Sequence, residues 1–100
     1  MSFALSLPPD TRNEIRDYLT DRFSDPAERL AALNAISAEL EKLAVNPRLG
    51  IGYPGGPFEH RRIYRFVINV GGGERYVQVA YAVFPKNKSV VVSGFVPVIF

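Results

Sequence analysis

Apolar and polar positions alternate most regularly between Arg61 and Phe84. Two arms rich in β-branched and aromatic residues, Arg61 to Val70 and Arg75 to Phe84, flank Gly71-Gly72-Gly73-Glu74. That pattern predicts a β-hairpin. Side chains on a strand alternate faces, so Tyr64, Phe66, Ile68 and Val70 share one face with Val77, Val79, Tyr81 and Val83. Pairing these apolar sets across a four-residue turn predicts Val70 opposite Arg75, Ile68 opposite Val77, Phe66 opposite Val79 and Tyr64 opposite Tyr81. Arg65 and Gln78 fall on the other, polar face, which is expected to stay partly open.

The period changes upstream. Ile15, Tyr18, Leu19 and Phe23 recur at helical spacing, behind a capping-box pattern from Thr11 to Glu14 with Asp10 as a competing cap. Asp25 and Pro26 suit the cap and first position of a second helix, and Glu28 would close its box. That helix places Leu30, Leu33, Ile36, Leu40 and Leu43 on one face and ends at Asn46-Pro47. Phe3 to Leu7 reads as a first strand stopped by Pro8-Pro9. Arg48 to Glu59 is too dense in glycine and proline for regular structure and reads as a long loop. Pro85 to Lys88 is a turn, and Ser89 to Phe95 a last strand. Pro97 argues against its continuing as a central strand. The order is β-α-α-β-β-β: a single α+β domain over residues 1–100, with a helical hairpin on one face of a small, mainly antiparallel sheet.

At 47% hydrophobic and 22% charged, the chain is globular and builds one modest core. Net charge is +2 and the pI about 9.2, compatible with a polyanionic partner. Basic residues cluster at Arg61, Arg62, Arg65, Lys86 and Lys88, whereas Ser89 to Phe100 carries no charge. That apolar end is expected to dock in the core, or at a partner or dimer interface. There is no cysteine, which excludes disulfides and thiolate chemistry and suits a reducing, cytoplasmic setting. No secretory signal pattern and no apolar run long enough to span a bilayer is present, so no membrane association is expected. With one histidine, no metal site or cofactor is expected. The glycine pair at Gly55-Gly56 lacks the lysine-hydroxyl sequence of a phosphate loop.

The element order, the helix ending Leu43-Ala44-Val45-Asn46-Pro47-Arg48-Leu49-Gly50, the strand Tyr64-Arg65-Phe66-Val67-Ile68 and the basic turn at Lys86 and Lys88 resemble the RelE/ParE superfamily, toxins of bacterial type II toxin–antitoxin modules. The resemblance covers nearly the whole chain. It implies a growth-inhibiting toxin neutralised by a cognate antitoxin. One branch of the family cuts messenger RNA on the ribosome as an endoribonuclease; the other poisons DNA gyrase. By position, the resemblance implies catalytic roles for Arg65, Lys86 and Lys88, with Arg65 stabilising a phosphate through its planar fork. It implies nucleic-acid contacts for Arg48, Arg61 and Arg62. The nuclease branch often has a tyrosine or histidine near its C-terminus; after Lys88 this sequence has none, nor any further Lys or Arg. That departure favours the gyrase branch or a degenerate toxin.

The residues themselves leave plainer readings open. Arg65 fits an ordinary strand arginine paired with Glu59 or Glu74. His60 has the pKa range of a general base, though a lone loop histidine is ordinarily solvated. Tyr53, Tyr76 and Tyr81 are candidate stacking platforms, Tyr81 on the buried face. Asp10, Glu14, Asp17 and Asp21 form a solvated helix face and no catalytic pair. A reading of another class is a non-enzymatic domain that dimerises through the apolar C-terminal strand, with Phe95 and Ile99 at the contact.

Overall fold

The structure, a computed structural model, describes residues 3–52 and 61–98. Its centre is the hairpin of β3 (Arg61–Val70) and β4 (Gly73–Phe84). The turn between them is only two residues long. Gly71 and Gly72 have φ of 63° and 77°, the left-handed region required at both central positions of a type I′ turn. Gly73 and Glu74 therefore belong to β4. The register differs by two residues from the sequence expectation: Val70 pairs with Gly73, Ile68 with Arg75, Phe66 with Val77 and Tyr64 with Val79. A shift of two keeps every side chain on its expected face. A turn whose twist matches that of the strands outweighs the closer matching of apolar rows.

The sheet has five strands in the order β1-β5-β4-β3-β2. β1 (Ala4–Ser6) runs parallel to β5 (Ser89–Val98) and the other neighbours are antiparallel. β2 (Ile51–Gly52) and the 3-10 helix Pro47–Leu49 that precedes it lie in the segment expected to be loop. β5 continues through Pro97 because that proline costs no ladder bond. β1 accompanies β5 only as far as Val91, so the outer side of β5 beyond it lacks a strand. Phe95 N–H and Val92 C=O turn to that outer side, where α1 (Pro9–Arg22) meets them. Pro97, two residues on from Phe95, turns its missing N–H the same way.

A bulge accompanies this. Tyr81 pairs with Val92 and Ala80 with Gly94, leaving Ser93 as the extra residue of β5. The extra residue resets the alternation, so Val90, Val92 and Phe95 all face the core.

Helices α1 and α2 (Pro26–Val45) cover that one face. Ile15, Tyr18, Leu19 and Phe23 are buried as their spacing predicts. The Thr11–Glu14 pair is not a capping box. The helix starts earlier, at Pro9, which suits a first helical position. Thr11, 1% exposed, instead donates its hydroxyl to Val92 O at 2.7 Å, and Glu14 accepts from Phe95 N–H at 3.4 Å. On α2, Asp25 does cap, accepting from Ala27 N–H. Ile36, Leu40 and Leu43 are buried with Ala32, but Leu30 and Leu33 are exposed. α2 thus presents a narrower core face than its leucine pattern predicts.

Candidate functional site

The sheet face opposite the helices is open. Along β3 it carries Arg61, Ile63, Arg65, Val67 and Asn69; the facing positions of β4 are Ala82, Ala80, Gln78, Tyr76 and Glu74. Arg65 sits in the middle, exposed, and its Nε–H donates to Gln78 Oε1 at 2.8 Å. Glu74 is two cross-strand rows away, opposite Asn69. Around Arg65 the face is mainly apolar: Val67 is 38% exposed, Tyr76 42% and Val96 52%. The Tyr76 hydroxyl donates to Glu74 at 3.3 Å. This side was expected to be polar; the apolar belt comes from the second strand face, where Val67, Tyr76 and Val96 interleave with the polar residues.

The other expected site residues do not gather around Arg65. Arg61 occupies the open face at the start of β3, two rows from Arg65, and is exposed. Lys86 and Lys88 are exposed in the β4–β5 turn. About 20 Å of strand separates the Arg65 row from the end of β4, and both lysines lie beyond it. Lys88 adopts a left-handed φ of 48°, and its carbonyl accepts from Ala4 N–H at 2.7 Å. Arg62 points to the helix-covered face. Its Nε–H donates to Gly50 O at 3.1 Å and a terminal N–H reaches Arg48 O at 3.5 Å. Arg48 is exposed on the 3-10 helix beside it. Tyr53, Glu59 and His60 lie outside the described residues.

Arg62 belongs to a latch that sequence reasoning missed. The buried Tyr81 hydroxyl donates to Pro47 O at 2.7 Å and accepts from Gly50 N–H at 2.9 Å. Burial pushes its pKa up, against the Gly50 hydrogen bond and the Arg62 charge, which pull it down. Gly50 fits because a Cβ there would stand 2.5 Å from Ile63 O and 2.6 Å from the tyrosine oxygen. The latch shapes a hollow of about 470 Å³ beside Arg65, lined by Leu49 to Gly52 and by Ile63 and Tyr64. A buried tyrosine needs a partner for its hydroxyl, which was the available signal.

A second missed group spans α2 and β3. Tyr64 donates to Glu39 Oε2 at 2.7 Å, and Lys42 Nζ pairs with Glu39 Oε1 at 2.9 Å. Burial pushes the Tyr64 hydroxyl up to about 12, reinforced by the Glu39 hydrogen bond and charge. Burial alone would raise the Glu39 carboxyl, but hydrogen bonds from Lys42 and Tyr64 and the Lys42 charge hold it below the ordinary value. Tyr18, in the core, is also raised, by burial that outweighs Arg75 and Arg22. Every one of these displaced groups lies on the helix-covered side; none is on the open face. Among the described residues no three carboxylates or imidazoles gather as a metal ion requires, and no helix is long and apolar enough to cross a membrane.

No protein-family model matches the sequence, and no curated protein does. Solved structures do. A mutant of the Escherichia coli toxin RelE in the free state superimposes with a TM-score of 0.61 at 14% identity, over 95% of this chain and 82% of that one. The RelBE2 toxin–antitoxin complex of Mycobacterium tuberculosis matches at a TM-score of 0.64 and 13% identity, over 98% of this chain and 93% of that one. The chain thus has the RelE-like fold, a helical hairpin on one face of a mixed five-stranded sheet.

Proposed function

We propose that the chain is the toxin of a toxin–antitoxin pair and arrests growth by docking its open sheet face on an essential bacterial macromolecule, in the manner of the gyrase-poisoning branch. The observation that carries this is the composition of that face. One exposed guanidinium, Arg65, stands in an apolar field of Val67, Tyr76 and Val96. Among the described residues its cross-strand and adjacent-row neighbours include no carboxylate or imidazole, and the one hydroxyl near it, that of Tyr76, is bonded to Glu74. A surface of this kind suits binding through a central arginine with aromatic and aliphatic neighbours. The fold shared with RelE and with the RelBE2 complex supports a toxin held in check by a protein antitoxin.

Induction of the chain alone in bacteria is expected to stop growth, and co-expression with its genomic neighbour to restore it. Growth unaffected by the chain alone would refute the toxin reading. Purified protein is expected to inhibit gyrase supercoiling and to leave ribosome-bound messenger intact. Arg65→Ala is expected to weaken inhibition by tenfold or more, the order of loss typical for a central interface arginine. Cleaved messenger with normal supercoiling would favour the second reading, ribosome-dependent endoribonuclease action. That reading draws on the arginine's capacity to hold a phosphate.

A further inference from the structure

Arg65 and Gln78 act as one unit. A two-residue turn makes Val70–Gly73 a hydrogen-bonded pair, and bonded and non-bonded pairs alternate along the ladder. Arg65–Gln78 is therefore a non-bonded pair, the kind whose side chains stand closer. The half-buried Gln78 takes the Arg65 Nε–H on its amide oxygen at 2.8 Å. That occupies the Nε flank of the guanidinium and leaves the two terminal amino groups as the available pair of donors. Among the described residues no carboxylate stands in the Arg65 row or in either adjacent one.

On the other side of Arg65 the sheet edge is notched. β2 starts only at Ile51, and Gly50 turns its N–H to the Tyr81 hydroxyl on the helix-covered side. The hollow of about 470 Å³ left there has walls of Leu49, Ile51 and Ile63, and among the described residues Arg65 is the one charged group lining it. The guanidinium leans toward β4 and the hollow opens on the outer side of β3, so an occupant reaches both by lying across β3.

We propose that these two features recognise an acidic and an apolar residue close together on a protein partner. The partner's carboxylate is bound end-on by the terminal amino groups of Arg65, with Gln78 as the positioning residue, and the apolar side chain enters the hollow. This rests on the reading of the open face as a docking surface for a protein. A nucleic-acid backbone is a row of charges and is met by a row of cations. On this face the next cation along β3 is Arg61, about 13 Å from Arg65, and Val67, Tyr76 and Val96 fill the ground around the guanidinium. A carboxylate held by two parallel N–H groups in apolar surroundings adds direction to attraction.

Selection of a phage-displayed random peptide library on the immobilised full chain tests this. Enriched peptides are expected to share Asp or Glu with Leu, Ile or Phe a few positions away. Fluorescence anisotropy then reads the affinity of the tightest peptide. Changing its acidic residue to the amide is expected to weaken binding at least tenfold. Gln78→Glu keeps the shape but sets a carboxylate on the fork, and is expected to cost at least tenfold. Gln78→Met keeps the length and lets the guanidinium turn, and is expected to cost several-fold. Ile51→Asn removes an exposed apolar wall of the hollow and is also expected to cost several-fold. Melting temperatures near wild type in all three variants separate lost recognition from lost fold. Selected peptides without a carboxylate, or an affinity indifferent to Gln78→Glu, overturn the proposal. So does a single-stranded RNA oligonucleotide that binds through Arg65 more tightly than any selected peptide. A chain that arrests growth yet selects no such peptide overturns this inference and leaves the toxin reading standing. One that selects such peptides without arresting growth does the reverse.

Discussion

At the level of single residues, the hydroxyls are what the sequence conceals. Alternation along β3 and β4 places Tyr64 and Tyr81 on the helix side, but nothing in a pattern of apolar positions says where their oxygens go. Tyr81 ties the 3-10 helix and Gly50 to the sheet. Tyr81→Phe leaves Pro47 O and Gly50 N–H without a partner and is expected to cost about 1–3 kcal/mol in chemical denaturation. The Tyr64–Glu39 pair predicts a pH profile. Glu39 has a folded pKa below its ordinary value, so its contribution is full above the ordinary carboxylate pKa and is lost as pH falls through the depressed one. Tyr64 has a raised folded pKa, so its contribution is full below 10.0 and is lost as pH climbs through about 12. Thermal melts of Glu39→Gln are expected to lose part of the acid-side dependence, and those of Tyr64→Phe part of the alkaline-side dependence. Unchanged profiles would show the pair to be a bystander.

At the level of elements, local signals located the strands and helices, and failed where a residue serves a distant neighbour. Ile15, Tyr18, Leu19 and Phe23 mark the buried stripe of α1 directly. Thr11 and Glu14 have the spacing of a local cap, yet both reach across to β5, residues 81 positions away in the chain. Thr11→Val keeps the shape and removes the side-chain donor to Val92 O; it is expected to destabilise the fold by about 1–3 kcal/mol. Were Thr11 a mere cap, the loss would track helix content alone, which peptide circular dichroism of 8–23 would reveal. The bulge at Ser93 was equally hidden, and with it the burial of Phe95, 3% exposed and edge-to-face on Tyr18 at 5.3 Å. Phe95 is therefore a core residue and no surface contact of the C-terminal strand. Phe95→Asp is expected to unfold the protein rather than release a dimer, a difference that circular dichroism reads at once. Ile99 lies outside the described residues.

At the scale of the whole molecule, the α+β class and the covering of one sheet face by a helical hairpin were legible, because alternation and helical periodicity each define a single apolar side. The candidate site was legible only in part. Arg65 stands where its strand position puts it. The spread of Arg61, Lys86 and Lys88 along the sheet, and the turning of Arg62 to the opposite face, follow from strand length and parity. Arg65→Ala separates fold from function at this scale. Its side chain is exposed and, among the described residues, bonds Gln78, so the melting temperature is expected to hold within a degree or two while inhibition is lost.

The strand order carries a temporal consequence. β5 is made last of the five yet lies between β1 and β4. During synthesis β1 has no neighbour to join, and α1 has no strand on which to seat Thr11, until residues 89–98 have left the ribosome. The nascent chain therefore stays unfinished until β5 has emerged, and the five-stranded sheet closes in one late step.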